Sequence, residues 1–216
     1  DGNDSYMHDK LNTVREILKK YNQEHLLQFY SELTENQKSD LLNQILDIDF
    51  EQILHLYEKS KLDVLDSTEE IEPLTCVDKA SISNSKKKTL YSLGTKAIKS
   101  GKVGVITLAG GQGSRLGFNG PKGTFCLELT PKKSLFEILC DYIKTASSKF
   151  KVNIPWYIMT STNNHFETIN FFEKNNYFGY DRTNVTFFTQ GNLPIIDING
   201  KLVLSDIYKV LFASNG

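Results

Sequence analysis

The sequence changes character at Val103-Gly-Val-Ile-Thr-Leu-Ala-Gly-Gly-Gln-Gly-Ser-Arg-Leu-Gly-Phe-Asn-Gly-Pro-Lys-Gly123, where an apolar run leads into the most glycine-rich segment of the chain. The run Val103–Leu108 is typical of a buried strand in a parallel sheet. The loop Leu108–Gly123 holds six of the chain's 14 glycines. Glycine lets successive backbone N–H groups approach a ligand closely and point at phosphate oxygens. We therefore predict a phosphate-binding loop at the carboxyl end of this strand.

Strand and helix patterns alternate after the loop. Ser134 and Glu137 match a capping box at the start of a helix predicted over Pro131–Phe150. The next predicted elements are a strand at 155–160, a helix around 166–173 that ends before Gly179, and a strand at 185–189. This alternation predicts an α/β fold of the Rossmann-like kind, with a mainly parallel sheet and helices on both faces. Further on, Asn199-Gly200 between two apolar pairs predicts a hairpin with a type I′ turn.

The N-terminal part of the chain has apolar residues at helical spacing. Thr34 with Gln37, and Asp49 with Gln52, match the capping-box pattern at two helix starts. A small helical domain is therefore expected before the α/β part. The predicted domains are 1–62 as the N-terminal helical region, 63–100 as a connector and a helix stopped by Gly101, and 101–216 as the first part of the nucleotide-binding domain.

Composition excludes several classes of protein. Of the 216 residues, 39% are apolar and 24% are charged, which is ordinary for a globular protein and unlike a disordered or collagen-like chain. The 25 basic and 26 acidic residues leave a net charge of −1, so no basic excess favours nucleic acid or an anionic membrane. The longest apolar runs are too short to span a bilayer, and the polar start is unlike a signal peptide. Three cysteines without CxxC spacing indicate reduced thiols, so we expect a cytoplasmic protein without nucleic-acid or membrane partners.

Two familiar phosphate loops do not fit the glycine-rich segment. A Walker A loop needs Gly-Lys followed by Ser or Thr, whereas Lys122 lies between Pro121 and Gly123. A dinucleotide fingerprint needs a helix directly after its glycines, and Pro121 cannot continue one. The loop still carries two cations, Lys122 and Arg115, and Arg115 is one of only three arginines in the chain. Close backbone amides with two cations suit phosphoryl or nucleotidyl transfer.

The segment Leu108–Gly123 resembles the signature of the sugar nucleotidyltransferases, and most closely that of the eukaryotic UDP-N-acetylglucosamine pyrophosphorylases. Three later blocks resemble the same family in the same order, at 154–161, 171–179 and 185–194. Many nucleotidyltransferases share the glycine motif, whereas the four blocks together are specific. The resemblance covers most of 86–216 and implies the nucleotidyltransferase fold, in a chain that we expect to be truncated.

The resemblance also implies an activity. The family joins UTP and N-acetylglucosamine 1-phosphate into UDP-N-acetylglucosamine and pyrophosphate, with Mg²⁺. It implies catalytic roles for Arg115 and Lys122 beside the phosphates, and a uracil contact for Gln190. The nucleotide-binding residues that it implies are Leu108, Ala109, Gly110, Gly111, Gly113, Lys122, Gln190 and Gly216. No residue is assigned as a metal ligand, and the four scattered histidines have no partner at zinc-ligand spacing.

Some alternatives stay open at this point. The loop has Ser114 where threonine is usual in the family, and Asn215 where many relatives carry aspartate. The family's sugar-binding half would lie beyond Gly216, so we expect the part present to be inactive on its own. A non-catalytic nucleotide-sugar binding module and a pyrophosphorylase for glucose or N-acetylgalactosamine phosphate are the other hypotheses. A substrate contact from Thr160 or Ser161, at the end of a predicted strand, is also open.

Overall fold

The computed structural model describes residues 2–62 and 72–214. In chain order, its elements are the helices α1 (Gly2–Lys20), α2 (Glu35–Leu46), α3 (Phe50–Lys61), α4 (Asn84–Lys99), α5 (Leu135–Phe150) and α6 (His165–Lys174), and the strands β1 (Val105–Leu108), β2 (Cys126–Leu127), β3 (Lys133–Ser134), β4 (Trp156–Thr160), β5 (Val185–Thr189), β6 (Asn192–Pro194), β7 (Leu204–Asp206), β8 (Lys209–Val210) and β9 (Phe212–Ser214). These residues form two compact units, which are 2–62 together with 192–214, and 72–191. The first of these is called the helical unit below, and the second the sheet unit.

The division into units differs from the domain boundaries expected along the sequence. The segment 192–214 belongs with the N-terminal helices, and the helix α4 belongs with the sheet. Part of the predicted connector, at 63–71, lies outside the described residues. The reason for the difference is that the segment 192–214 makes its contacts with helices that are far away in sequence.

The helical unit has an apolar core made by α1, α2 and α3. The start signal of α2 behaves as predicted: the Thr34 hydroxyl accepts a hydrogen bond from the Gln37 amide, and the Gln37 side chain accepts one from the Thr34 amide. At α3 only half of the predicted box forms: the Asp49 side chain accepts from the Gln52 amide at 2.9 Å, without the return bond to the Gln52 side chain. The fully buried side chains of this core are Val14, Leu18, Leu26, Leu41, Leu42 and Ile45.

Two glutamines attach the segment 192–214 to these helices. The buried Gln23 donates to the Gly200 carbonyl at 2.8 Å and accepts from the Leu202 amide at 2.9 Å. Gln44 makes the same pair of bonds further along, to the Tyr208 carbonyl at 3.1 Å and from the Val210 amide at 3.0 Å. A carboxamide has both a donor and an acceptor, so each side chain replaces the backbone partner that an edge strand lacks.

The predicted hairpin is present, but its turn type was wrong. Ile196 pairs with Leu202, and only Gly200 in the turn has a positive φ, of 77°. A type I′ turn needs positive φ at both central residues, whereas one left-handed glycine after a type I turn gives a three-residue loop with a bulge. The Asp197 carboxylate selects this form because it accepts hydrogen bonds from the amides of Asn199 and Lys201, at 2.8 and 2.9 Å.

The sheet unit contains a three-stranded parallel sheet with β4 between β1 and β5. Val105 pairs with Trp156, and Trp156 pairs with Val185, so the three strands run in step. The short strands β2 and β3 pair antiparallel between the glycine-rich loop and α5. The predicted α/β class and parallel sheet are confirmed.

Both α5 and α6 pack on one face of this sheet. Phe172 of α6 lies at the centre, with its ring 5.4 Å from Trp156, 5.1 Å from Phe187 and 4.9 Å from Phe136 of α5. The opposite face of the described sheet is open to solvent, where Ile106 is 64% and Leu108 is 74% exposed, with Tyr157 and Phe188 beside them. We expected helices on both faces, and in the described residues they cover one.

The ends of the helices in the sheet unit follow their sequence signals. The Ser134 hydroxyl accepts from the Glu137 amide at 3.1 Å, and α5 begins at the next residue. The helix therefore starts four positions later than the predicted Pro131, because Lys133 and Ser134 form β3 instead. At the end of α4, Gly101 has a φ of 68°, its amide donates to the Ile98 carbonyl, and the Lys102 amide donates to the Ala97 carbonyl. These two bonds form a Schellman motif, which requires the glycine that the sequence provides.

All three cysteines are free thiols. Cys140 of α5 is fully buried, and burial raises the pKa of its thiol to about 11. Over the described residues, none of the helices combines the length and the apolar character needed to cross a bilayer.

The two faces of the sheet predict different responses to the same substitution. Ile158→Ala should lower the free energy of unfolding of the 216-residue chain by about 2–5 kcal/mol, because Ile158 is fully buried and the change leaves a cavity. Ile106→Ala, on the neighbouring strand, should change it by less than about 0.5 kcal/mol because that side chain is exposed. Urea unfolding followed by the fluorescence of Trp156, the single tryptophan, measures both. Equal losses would contradict the one-sided core.

The glutamine contacts of the helical unit predict a second difference. Gln23→Met should destabilise the helical unit by about 2–4 kcal/mol, because two hydrogen bonds are lost and the buried Leu202 amide keeps no partner. Circular dichroism during urea unfolding measures the loss, while the Trp156 fluorescence transition should stay in place. Gln52→Met, at an exposed position of α3, is the matched control. A Gln23 variant as stable as this control would contradict the anchoring role.

Candidate nucleotide-binding site

The carboxyl ends of the three parallel strands form the edge at which the predicted residues meet. Two hydrogen bonds continue the strand pairing past the strand ends: the Ala109 amide donates to the Met159 carbonyl, and the Gln190 amide donates to the Thr160 carbonyl, both at 2.7 Å. Ala109 and Gln190 are therefore fixed on either side of β4. Ligands of open α/β sheets bind at this edge.

Gln190 lies directly against the glycine-rich loop. A Cβ placed on Gly110 would be 2.8 Å from both the nitrogen and the oxygen of the Gln190 carboxamide. Only a residue without a side chain allows this approach. The structure thus brings together two residues that the family resemblance assigns to the same nucleotide, although they are 80 positions apart in the sequence (190 − 110).

The loop itself is a closed lobe rather than an open coil. The Gly113 amide donates to the Gly120 carbonyl at 2.9 Å, and the Lys122 amide donates to the Gly111 carbonyl at 3.1 Å. Between these bonds, a short 3₁₀ turn at Ser114–Leu116 ends at Gly117, whose φ is 67°. In the described chain, the amides of residues 110–112 donate to no other group. Three consecutive amides near the strand edge thus remain available for an acceptor.

The last glycine of the lobe connects it to the core. A Cβ on Gly123 would be 2.2 Å from two ring atoms of Phe136, which is itself buried beneath the lobe. A second close contact lies inside the lobe, where a Cβ on Gly113 would be 2.6 Å from the Phe118 ring. Glycine at these positions lets aromatic rings support the backbone directly, which keeps the lobe in one shape.

The charged side chains around the lobe fall into two groups. Lys132 pairs with Glu128 at 2.7 Å, and Lys133 pairs with Asp141 at 2.5 Å. The hydrogen bond from Lys133 lowers the pKa of the Asp141 carboxyl below its usual value. Arg115 and Lys122 are exposed, and no carboxylate of the described residues pairs with either. These two cations are thus the ones left to meet an anion.

A buried polar layer lies next to the loop, and sequence reasoning missed most of it. The fully buried Thr160 hydroxyl is 2.7 Å from Nδ1 of His165 and donates to the Phe188 carbonyl at 3.1 Å. The Asn164 carboxamide, also fully buried, donates to the Ala109 carbonyl at 3.0 Å. We considered Thr160 as a substrate contact, but its hydroxyl is occupied within the protein. The available signal for Asn164 was an amide side chain just before a helix, which is also an ordinary capping pattern.

Gly216, assigned to the nucleotide by resemblance, lies outside the described residues, as does Asn215. Among 2–62 and 72–214, no three His, Cys, Asp or Glu side chains form a group that could hold a metal ion.

Comparison with known proteins gives one consistent family. The family described as UTP–glucose-1-phosphate uridylyltransferase (UDPGP) matches residues 48–210. A Schizosaccharomyces pombe protein named "Probable UDP-N-acetylglucosamine pyrophosphorylase" is 36% identical over 97% of this chain and 46% of its own length. The Saccharomyces cerevisiae UDP-N-acetylglucosamine pyrophosphorylase is 45% identical over 63% of this chain and 30% of its own length.

A solved structure agrees with these relatives. The crystal structure of the uridine diphosphate N-acetylglucosamine pyrophosphorylase from Trypanosoma brucei, in complex with an inhibitor, matches with a TM-score of 0.74 and 29% identity, over 95% of this chain and 43% of that chain. The chain therefore spans less than half the length of each of these three proteins. The family match and the relatives together show that the chain belongs to the UTP–glucose-1-phosphate uridylyltransferase family, in the branch whose members are named UDP-N-acetylglucosamine pyrophosphorylases.

Proposed function

We propose that the protein is a uridylyltransferase that joins UTP and N-acetylglucosamine 1-phosphate to give UDP-N-acetylglucosamine and pyrophosphate. The observation that carries this proposal is the contact between Gly110 and Gln190 at the strand edge, beside amides that have no partner in the described chain. A carboxamide offers the donor and the acceptor that a uracil edge needs. The free amides and two unpaired cations suit the phosphates of the same nucleotide.

The proposed reaction needs no protein nucleophile. A phosphate oxygen of the sugar phosphate forms a bond to the α-phosphorus of UTP, and the bond from that phosphorus to the bridging oxygen of the β-phosphate breaks. Pyrophosphate then leaves with the bonding electrons. The contribution of this chain is to hold the nucleotide by its base and to place Arg115 and Lys122 where negative charge spreads over the phosphate oxygens.

The proposal includes Mg²⁺ as an ion bound to the phosphates of UTP. Among the described residues, no three His, Cys, Asp or Glu side chains form a group that could hold a metal ion. Mg²⁺ is commonly bound through substrate phosphates with few protein ligands. We therefore propose that it enters as the magnesium complex of UTP.

The sugar is the part of the proposal that the relatives support most. Both yeast relatives are named for UDP-N-acetylglucosamine, whereas the family description names glucose 1-phosphate. The candidates are separated by measuring the release of pyrophosphate by the full-length protein. The assay contains UTP and, in turn, the 1-phosphate of N-acetylglucosamine, N-acetylgalactosamine or glucose. The proposal requires the highest kcat/KM with N-acetylglucosamine 1-phosphate. Binding of UTP without release of pyrophosphate in the presence of any of these sugar phosphates would favour a binding module instead.

The cellular setting is also a proposal. The three free thiols suit a reducing compartment, so we propose a cytoplasmic location. The proposed partners are UTP and a sugar 1-phosphate, without nucleic acid or membrane.

The two cations give the first prediction for the activity. Arg115→Ala and Lys122→Ala should each lower kcat/KM by about 10²–10³, by analogy with the loss of one transition-state donor. Both side chains are exposed, so the melting temperature should move little. Lys132→Ala is the matched control, because that lysine is close in sequence but paired with Glu128. A loss of turnover that follows the melting temperature would make the two cations structural.

The uracil contact gives the second prediction. Gln190→Glu keeps the shape of the side chain but loses its donor, so the KM for UTP should rise about tenfold, the value of a hydrogen bond to a base edge. Preference for UTP over CTP should fall at the same time. Steady-state kinetics with the two nucleotides measures both changes, and Gln52→Glu on an exposed helix position is the control. An unchanged preference for UTP over CTP would show that Gln190 does not contact the base.

A further inference from the structure

The Asn164 side chain uses its hydrogen bonds in an unusual way. Asn164 is the residue that precedes α6, where a short polar side chain ordinarily accepts from an amide in the first helical turn. Here the side chain makes no such capping bond. Instead, its oxygen accepts from the Ser161 amide at 2.9 Å, and its nitrogen donates to the carbonyls of Ala109 at 3.0 Å and Gly111 at 3.4 Å. The helix forgoes a cap so that the amide group can reach the loop.

These two carbonyls control the direction of two amides in the loop. The peptide bonds Ala109–Gly110 and Gly111–Gln112 are both trans. In a trans peptide, the C=O of one residue and the N–H of the next point in opposite directions. Because Asn164 draws the carbonyls of Ala109 and Gly111 towards the buried layer, the amides of Gly110 and Gln112 point away from it. Neither amide donates to another group in the described chain.

The same contact extends to one of the proposed catalytic side chains. The Gly111 carbonyl accepts from both the Asn164 side chain and the Lys122 amide, at 3.4 and 3.1 Å. The Asn164 amide is fully buried and satisfied on its oxygen and on its nitrogen, so its position is well determined. A shift of the Gly111 carbonyl would therefore move the backbone that carries Lys122.

We propose that Asn164 is a positioning residue for nucleotide binding: it holds the carbonyls of Ala109 and Gly111 so that the amides of Gly110 and Gln112 face the nucleotide and Lys122 stays beside it. This inference rests on the proposed function, because it takes a uridine nucleotide as the ligand of the loop. The residue touches the loop backbone and acts on the ligand through it.

The test compares Asn164→Asp with Asn164→Ala in the full-length protein. Aspartate keeps the volume and the oxygen that accepts from Ser161, but it loses both donors and places a carboxylate against two carbonyl oxygens. Alanine loses the donors and the acceptor. Asn175→Asp is the matched control, because Asn175 also donates its side-chain amide to a backbone carbonyl, that of Phe171 at 2.8 Å, at the exposed end of the same helix.

Two measurements are made on each variant. Calorimetry with UTP and Mg²⁺ gives the Kd, which should rise about 10- to 100-fold in both Asn164 variants, as is common when a group that orients a binding residue is removed. Hydrogen exchange of peptides that contain Gly113 and Lys122 should be faster in both, because the hydrogen bonds of the lobe open more often. The control should match the unmodified protein in both measurements.

The outcomes distinguish failure of the positioning role of Asn164 from failure of the proposed function. An Asn164→Asp variant that binds UTP and exchanges like the unmodified protein would overturn the inference, since only the bond from Ser161 would then matter. A lower melting temperature with an unchanged Kd would overturn it too, because Asn164 would then be structural. If the unmodified protein binds no UTP, the proposed function fails, and faster lobe exchange in both Asn164 variants would still support the positioning of the loop, while unchanged exchange would overturn it.

Discussion

The parallel register of β1, β4 and β5 is the constraint on which the candidate site depends. Parallel strands with a common direction end at the same edge, so the loops after Leu108, Thr160 and Thr189 must emerge side by side. The ladder continues one step further, through the amides of Ala109 and Gln190. The strand register alone therefore places the glycine loop and Gln190 at the same edge of the sheet. The absence of a side chain at Gly110 then allows the Gln190 carboxamide to approach the loop closely.

Polar groups are buried next to this edge more densely than elsewhere in the described chain. The described chain has seven buried polar residues, and four of them lie between 160 and 168, namely Thr160, Ser161, Asn164 and Thr168. A buried polar group is costly unless it is hydrogen-bonded, and an apolar core would have avoided that cost. The bonds of Thr160 and Asn164 connect β4 to β5 and to the glycine loop. For Thr160 and Asn164 these bonds offset the cost of burial, whereas the Thr168 hydroxyl has no hydrogen-bond partner among the described residues.

The open face of the sheet has a consequence for stability. A parallel sheet is ordinarily covered on both faces, but the described sheet has its apolar contacts concentrated on the side of α5 and α6. The rings of Phe136, Trp156, Phe172 and Phe187 form that contact, and Gly123 of the lobe rests on Phe136. Because Gly123 of the lobe lies directly against the buried ring of Phe136, a loss of packing on this face would act directly on the lobe.

The sequence predicted local features well and distant pairings poorly, for a physical reason. The Thr34 capping box and the glycine after α4 are set by neighbouring residues, and each has its predicted form. The apolar run before the loop forms the predicted strand, but its predicted burial was wrong, because Ile106 and Leu108 lie on the exposed face of the sheet. Attachment of 192–214 to the N-terminal helices depends on Gln23, whose partner Gly200 is 177 positions away. In the sequence, Gln23 cannot be distinguished from a solvent-exposed glutamine. Hydrophobic periodicity shows which face of a helix is buried, but it does not show which distant backbone segment packs against that face. Asn164 is hidden in the same way: its pattern fits a helix cap, and only the fold reveals that the loop backbone takes its hydrogen bonds instead.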